Sequence, residues 1–189
     1  MKITKAKAMT DTRIRTGTVR LSYPHLFEKY TESDKYQTVL LIPKDDETGT
    51  LKVIKEAIKA AAEQGKQGKQ SKWNGKTPKN LATPLHDGDE SEQEAYEDCY
   101  YLTARTSTRP QVVDTSCNDI LDAEEIYAGC YARATLRFFP YSASGNNGVG
   151  VLLDNVQKLG DGDPIGGGKA SAESDFGDDD LEDDDDLGI

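Results

Sequence analysis

GCYARATLRFFPYSASGNNGVGVLLDNVQKL, residues 129–159, alternates with a period of two and then doubles back on itself. In its first half Ala132, Ala134, Leu136 and Phe138 fall on one face, and Tyr131, Arg133, Thr135, Arg137 and Phe139 fall on the other. Such alternation marks a strand with one buried face. The Ser/Gly/Asn-rich piece ASGNNG reads as a turn, and VGVLLDNVQKL as the returning strand of a hairpin. The apolar set is the expected core. The opposite set interleaves two guanidinium groups with two aromatic rings, which suits a platform that stacks bases and holds phosphates. A solvated sheet surface with cation–π contacts has the same composition, so the rest of the chain has to separate the two.

Outward from the hairpin, CYYLTART (99–106) reads as a strand that aligns Tyr101, Thr103 and Arg105 on one face. RPQVVD is a second short strand and DAEEIY a single helical turn. Near the start, RIRTGTVRLSY (13–23) alternates, with Val19, Leu21 and Tyr23 on the core face and Thr18, Arg20 and Ser22 opposite, before a turn at Pro24. KYQTVLLIPK contains Val39-Leu40-Leu41-Ile42, a strand covered on both faces and ended by Pro43. TGTLKVIKEAIKAAAEQG switches to helical spacing, with Leu51, Ile54, Ile58 and Ala61 on one stripe and Lys52, Lys55 and Lys59 outside it. Thr48 or Thr50 is the expected cap and Gly65 the stop. Many short strands with one helix predict a mainly β fold, an OB-like β-barrel with one amphipathic helix and a disordered acidic C-terminal tail. The expected layout is a barrel domain at 1–160, a Gly-rich linker at 161–172 and the tail at 173–189.

The formal charge of −11 is unevenly spread. Residues 1–85 hold 17 Lys and Arg against 9 Asp and Glu, whereas residues 173–189 hold 10 acids and no cation. The basic half is therefore able to present a positive groove despite an acidic total. Lys66, Lys69, Lys72, Lys76 and Lys79 lie in a loop without an acid, around the single tryptophan, Trp73. Lysines so spaced follow a phosphate chain. The indole either stacks on a base or folds back into the core.

Catalytic readings fare worse. Three cysteines without CxxC spacing and two histidines support neither a disulfide framework nor a zinc site, and a Ser/His/Asp or Cys/His scheme has few histidines to draw on. The run HDGDESEQEAYED lacks the glycine and the final Glu of a calcium loop, leaving a solvated acidic loop as the main reading. A metal-dependent nuclease using Asp87, Asp89 and Glu90 is the alternative, and an acidic protein-interaction module is another. No cofactor, metal or catalytic residue is expected. The start has no apolar signal region and no stretch approaches a membrane span, so a reduced, cytoplasmic setting is expected.

The segments GTVRLSYPHLFE, KYQTVLLIPK, KWNGKTPKNLATPLHDGDE and 127–167, followed by an Asp-rich end, resemble a family of bacteriophage single-stranded-DNA-binding proteins. The resemblance implies an OB-type barrel, sequence-independent binding of single-stranded DNA, a part in phage replication or recombination within the bacterial host cytoplasm, and no enzymatic activity. The expected DNA contacts are Lys66, Lys69, Lys72, Trp73, Lys76, Tyr101, Arg105, Tyr131, Arg133, Arg137 and Phe139. The tail, through Phe176, Asp178, Asp179, Asp180, Asp183, Asp184, Asp185, Asp186 and Ile189, is expected to compete for the groove and to recruit replication or recombination proteins. Self-association into a homo-oligomer is compatible with this pattern. The end differs from the Asp-Phe of many bacterial counterparts, since Leu187-Gly188-Ile189 stands there instead.

Overall fold

The computed structural model describes residues 3–69 and 71–166. The anchors expected in the tail, Phe176 to Ile189, and linker positions 167–172 lie outside the described residues. In chain order the elements are β1 (Lys7–Ala8), β2 (Arg13–Arg15), β3 (Val19–Tyr30), β4 (Lys35–Pro43), α1 (Thr50–Lys66), β5 (His86–Asp87), β6 (Cys99–Thr106), β7 (Gln111–Val113), β8 (Tyr131–Ala143) and β9 (Asn146–Gly160). The single helical turn expected within DAEEIY is present at Ala123–Glu125. Among the described residues no helix is long and apolar enough to cross a membrane.

Five strands form a ring: β3, β4, β6, β9 and β8 hydrogen-bond in that order, and β8 pairs back onto β3. The β6–β9 contact is parallel and the others antiparallel. In strand number and closure this is the expected OB-like barrel. β2 and then β1 extend the sheet from β8, and β7 extends it from β9.

The β8–β9 hairpin is tighter than the six residues of ASGNNG suggest. Ser144 (φ 51°) and Gly145 (φ 80°) alone make the turn, both left-handed, so the strands run to Ala143 and Asn146. Positive φ at both central residues matches the twist of the flanking strands. Inside the ring Leu21, Leu40, Leu102, Ala132, Leu136 and Ile54 are fully buried, with Ala134 and Phe138 beside them as the alternation requires. β4 is covered on both faces: Leu40 and Ile42 point into the ring, while Val39 and Leu41 lie beneath Tyr96 in a second, smaller cluster.

Two local expectations are corrected. Tyr23 is not on the core face but 53 % exposed, because it takes φ 44° at a register shift between Ser22 and His25. Ser22 stays on the face opposite Leu21, across from Val39 and buried beneath Tyr96, whose Oη donates to its Oγ (3.2 Å), and β3 continues through Pro24 to Tyr30. The helix cap is also different. Gly49 (φ 78°) precedes α1 without a side-chain cap, and Asp46 does the work from a distance, its carboxylate accepting from Leu51 N (2.7 Å) and Thr48 N (2.9 Å). Thr50 Oγ1 instead accepts from Gly17 N (2.9 Å), which ties the helix start to the ring. α1 buries Leu51, Ile54, Ala57 and Ala61 against β8, with Ile58 half-buried.

Removing this distant cap should weaken the fold: Asp46→Ala is expected to lower stability by about 1 kcal/mol, the usual cost of a lost N-terminal acceptor, seen as a lower urea midpoint. An unchanged midpoint would place the cap elsewhere.

Candidate nucleic-acid interface

On the outer face of β6, β9 and the tip of β8 lies an open groove of about 780 Å³, lined by Tyr101, Thr103, Arg105, Phe139, Tyr141 and Leu152, with Ala82–Pro84 and Lys35 at its edges. The hairpin register sets Phe139 opposite Gly150 and Tyr141 opposite Gly148. A Cβ at Gly150 would sit 2.6 Å from the Phe139 ring, and one at Gly148 2.7 Å from the Tyr141 hydroxyl. Each ring therefore lies across bare backbone and turns its other side to the groove. A side chain at either glycine would lift it.

Arginines flank the rings in a cross-strand row. Leu152 on β9 sits between Arg105 on β6 and Arg137 on β8, and Arg137 in turn pairs with Arg13 on β2. Each guanidinium is held at Nε: Arg105 by Gln37 Oε1 (3.0 Å), Arg137 and Arg13 by the Asp154 carboxylate (2.8 and 2.9 Å), and the neighbouring Arg133 by Gln157 Oε1 (2.6 Å). Partial burial, and then the charge of Arg15, pull Arg133 below the ordinary guanidinium range.

The structure brings Tyr101, Arg105 and Phe139 into one groove and sets Arg137 in the row beside it, but it separates Tyr131 from them. Tyr131 is eight residues from Phe139, roughly 26 Å along the strand at the usual rise. It stands over Gly162, with the Arg20 guanidinium 5.7 Å from its ring centroid. Arg20 also donates to Asp163 O (2.5 Å), and Ile165 N donates to Ala128 O (2.9 Å), so residues 161–166 are docked along the barrel here. Tyr101 packs between His86 (5.3 Å) and Tyr96 (5.0 Å).

Trp73 is not a stacking surface. It is 7 % exposed, its ring packs on Gly65, and its indole N–H donates to Tyr141 O (3.1 Å). Folding back was the other reading of this residue, and it gives the tryptophan a different task. It fastens the lysine loop to the hairpin tip beside the groove, leaving Lys69, Lys72 and Lys76 exposed and Lys66 half-buried. Sequence reasoning missed Tyr141, Leu152, Gln37, Asp154 and Arg13. The signal for Tyr141 was there in the Gly-x-Gly of 148–150 opposite two aromatics, once a two-residue turn is assumed.

The acidic loop is a structural knot. Asp87 and Asp89 both pair with Lys44, at 2.7 Å for Asp87. Asp87 also accepts from Asp89 N (3.0 Å) and Asp89 from Asp98 N (2.8 Å). Hydrogen bonds from Lys44, then from the backbone, hold both carboxyls below the usual range, and the same pairing raises Lys44. Among the described residues no group of three or more His, Cys, Asp or Glu is placed to hold a metal ion. Asp87 and Asp89, two of the three candidates for a nuclease centre, are thus occupied in bracing the loop, while Glu90 is exposed.

Depressed carboxyls contribute stability that is complete above the ordinary Asp value near ~3.9 and is lost as pH falls below it. Melting of the protein should therefore decline below about pH 4 by less in Lys44→Met than in the wild type. The emission of Trp73 should be blue-shifted and shielded from acrylamide; a red, readily quenched spectrum would contradict its burial.

A model of the family described as "Enterobacter phage Enc34, ssDNA-binding protein" matches residues 12–187. Protein p50 of Acyrthosiphon pisum secondary endosymbiont phage 1 is 34 % identical over 176 residues, covering 85 % of this chain and 91 % of p50. Among solved structures, the single-stranded DNA-binding protein of bacteriophage Enc34 superimposes with a TM-score of 0.69 at 27 % identity, covering 93 % of this chain and 99 % of that one. The same phage protein in complex with ssDNA gives 0.69 at 27 % identity, over 87 % of this chain and 99 % of that one. The single-stranded DNA-binding protein gp2.5 of bacteriophage T7 shares the fold, with a TM-score of 0.55 at 16 % identity, over 95 % of this chain and all of that one.

Proposed function

The chain belongs to the bacteriophage single-stranded-DNA-binding family described for Enterobacter phage Enc34, and we propose that it binds single-stranded DNA without sequence preference. The observation that carries this reading is the pair of rings seated over glycines, Phe139 on Gly150 and Tyr141 on Gly148, beside a row of arginines. Every base has a π-face, so rings presented in this way accept any sequence, but only where bases are unpaired and free to stack. The arginines supply the phosphate contacts, and the exposed lysines of the loop fastened by Trp73 extend the positive surface toward the hairpin tip. Tyr131 is left to the docked segment that precedes the tail.

The acidic tail acts as an internal competitor. Beyond Gly166 the chain has 23 residues, which reach up to ~75 Å when extended, far enough to return to the groove from the Tyr131 end. A tethered polyanion has an effective concentration of order mM, so it displaces weak polyanions and yields to a strand that also stacks. Displaced, the segment from Phe176 to Ile189 becomes available to replication or recombination proteins in the bacterial host cytoplasm.

In a mobility-shift titration with a thymidine oligomer and a duplex of equal length, the single strand alone is expected to bind at moderate salt. Phe139→Ala and Tyr141→Ala should each weaken it by about 1–3 kcal/mol, the worth of one base–aromatic stack. Deleting residues 173–189 should tighten binding at low salt. Equal affinity for duplex and single strand in the full chain would contradict the stacking account, and unchanged affinity on tail deletion would contradict the competition.

A further inference from the structure

Asp154 is an extra residue in its strand. Leu136 pairs with Leu153 and Thr135 with Asn155, which leaves Asp154 unmatched at a bulge in β9. A bulge re-aims a side chain, and here it directs a carboxylate between two guanidinium groups. Asp154 is bound by Arg137 Nε at 2.8 and 3.0 Å and by Arg13 Nε at 2.9 Å, with its side chain only 14 % exposed.

The choice of atom matters. Bonding at Nε fixes the plane of a guanidinium while leaving its two Nη groups free to face outward. Among the described residues the Nη groups of Arg105, Arg133 and Arg137 make no hydrogen bond within the protein, and Arg13 Nη1 reaches only Met9 Sδ (3.5 Å). Four guanidinium groups are thus held by one edge with the fork that suits a phosphate presented outward. Their anchors differ in charge. Arg105 is held by the neutral amide of Gln37, itself buried and fixed by Ser33 Oγ (3.0 Å), and Arg133 by Gln157, whose amide nitrogen donates to Asp114 O (2.8 Å). Only the Arg13–Arg137 pair shares a carboxylate.

Resting on the single-strand-binding reading, we infer that Asp154 is a specificity-determining residue of the interface: it orients Arg13 and Arg137 toward the strand and cancels one of their two charges, limiting how tightly the row holds a polyanion. The neutral amides at Arg105 and Arg133 orient without that discount. Stacking on Phe139 and Tyr141 then carries a larger share of affinity, which favours strands with free bases over duplex phosphates.

Two near-isosteric exchanges test this with opposite signs, because each removes or adds one charge while keeping an oxygen for Nε, at position 154 the one that Arg13 and Arg137 share. Asp154→Asn should tighten binding of a thymidine oligomer about 2- to 5-fold at low salt, the worth of one charge acting across a wet groove. Its plot of log affinity against log salt should steepen by about 0.7, one counterion on a single strand. Gln37→Glu should do the reverse, and Asp154→Glu, which keeps the charge, should leave the slope at the wild-type value. Duplex binding should rise more than single-strand binding in Asp154→Asn. Circular dichroism and melting of each variant confirm that it is folded, and each is read on its own. Wild-type slopes in both Asp154→Asn and Gln37→Glu, or weaker binding by Asp154→Asn, would overturn the inference while leaving the function standing. Failure of the wild type itself to bind the oligomer would instead refute the function.

Discussion

The pairing of β8 with β9 fixes nearly everything outside it. Because side chains alternate, a slip of one residue would push Arg133, Arg137 and Phe139 into the ring and expose Ala132, Ala134, Leu136 and Phe138. The left-handed Ser144-Gly145 turn prevents such a slip at one end, and the burial of Leu136 against Leu153 and of Phe138 against Val151 prevents it along the strand. The same register that fills the core sets Phe139 over Gly150 and Tyr141 over Gly148. Core and groove are two faces of one constraint.

Rigidity on the outer face follows from how its polar groups are held. Arg105, Arg133 and Arg137 are each tied at Nε, Trp73 fastens the lysine loop through Tyr141 O, and Lys44 gathers Asp87 and Asp89 beside β5. A surface arranged before its ligand arrives loses less side-chain entropy on binding. The arrangement also explains how an acidic protein presents cations: Asp46, Asp87, Asp89 and Asp154 in the folded part are engaged at a cap, a turn and ion pairs, and the largest block of negative charge lies in the final 17 residues.

Much of this was legible in the residues. The alternation of 131–139 separated inward from outward residues, and of the helical stripe Leu51, Ile54 and Ala61 are buried while Ile58 is half-buried and Ala57 fills the face beside it. What escaped was tertiary. Tyr23 shares a period with Val19 and Leu21, but a bulge reverses it, and a bulge leaves no mark in a periodic pattern. Asp46 caps α1 from four residues before its start, outside the window in which a cap is sought. Trp73 looked like a stacking residue because it stands among lysines, whereas its partners Gly65 and Tyr141 lie on other elements. The split of Tyr131 from Phe139 was hidden because residues on one face of a long strand need not share one site.

The central claim is that unpaired bases stack on the rings seated over Gly148 and Gly150. Photo-crosslinking of a 5-iodouridine-substituted single strand, followed by mass spectrometry of the peptides, reads those contacts directly. The account predicts crosslinks at Phe139 and Tyr141, with weaker ones at Tyr101, and their loss in Gly150→Val, which would lift the Phe139 ring. Crosslinks confined to Tyr131, Tyr23 or the helix face, with none at the hairpin tip, would contradict it.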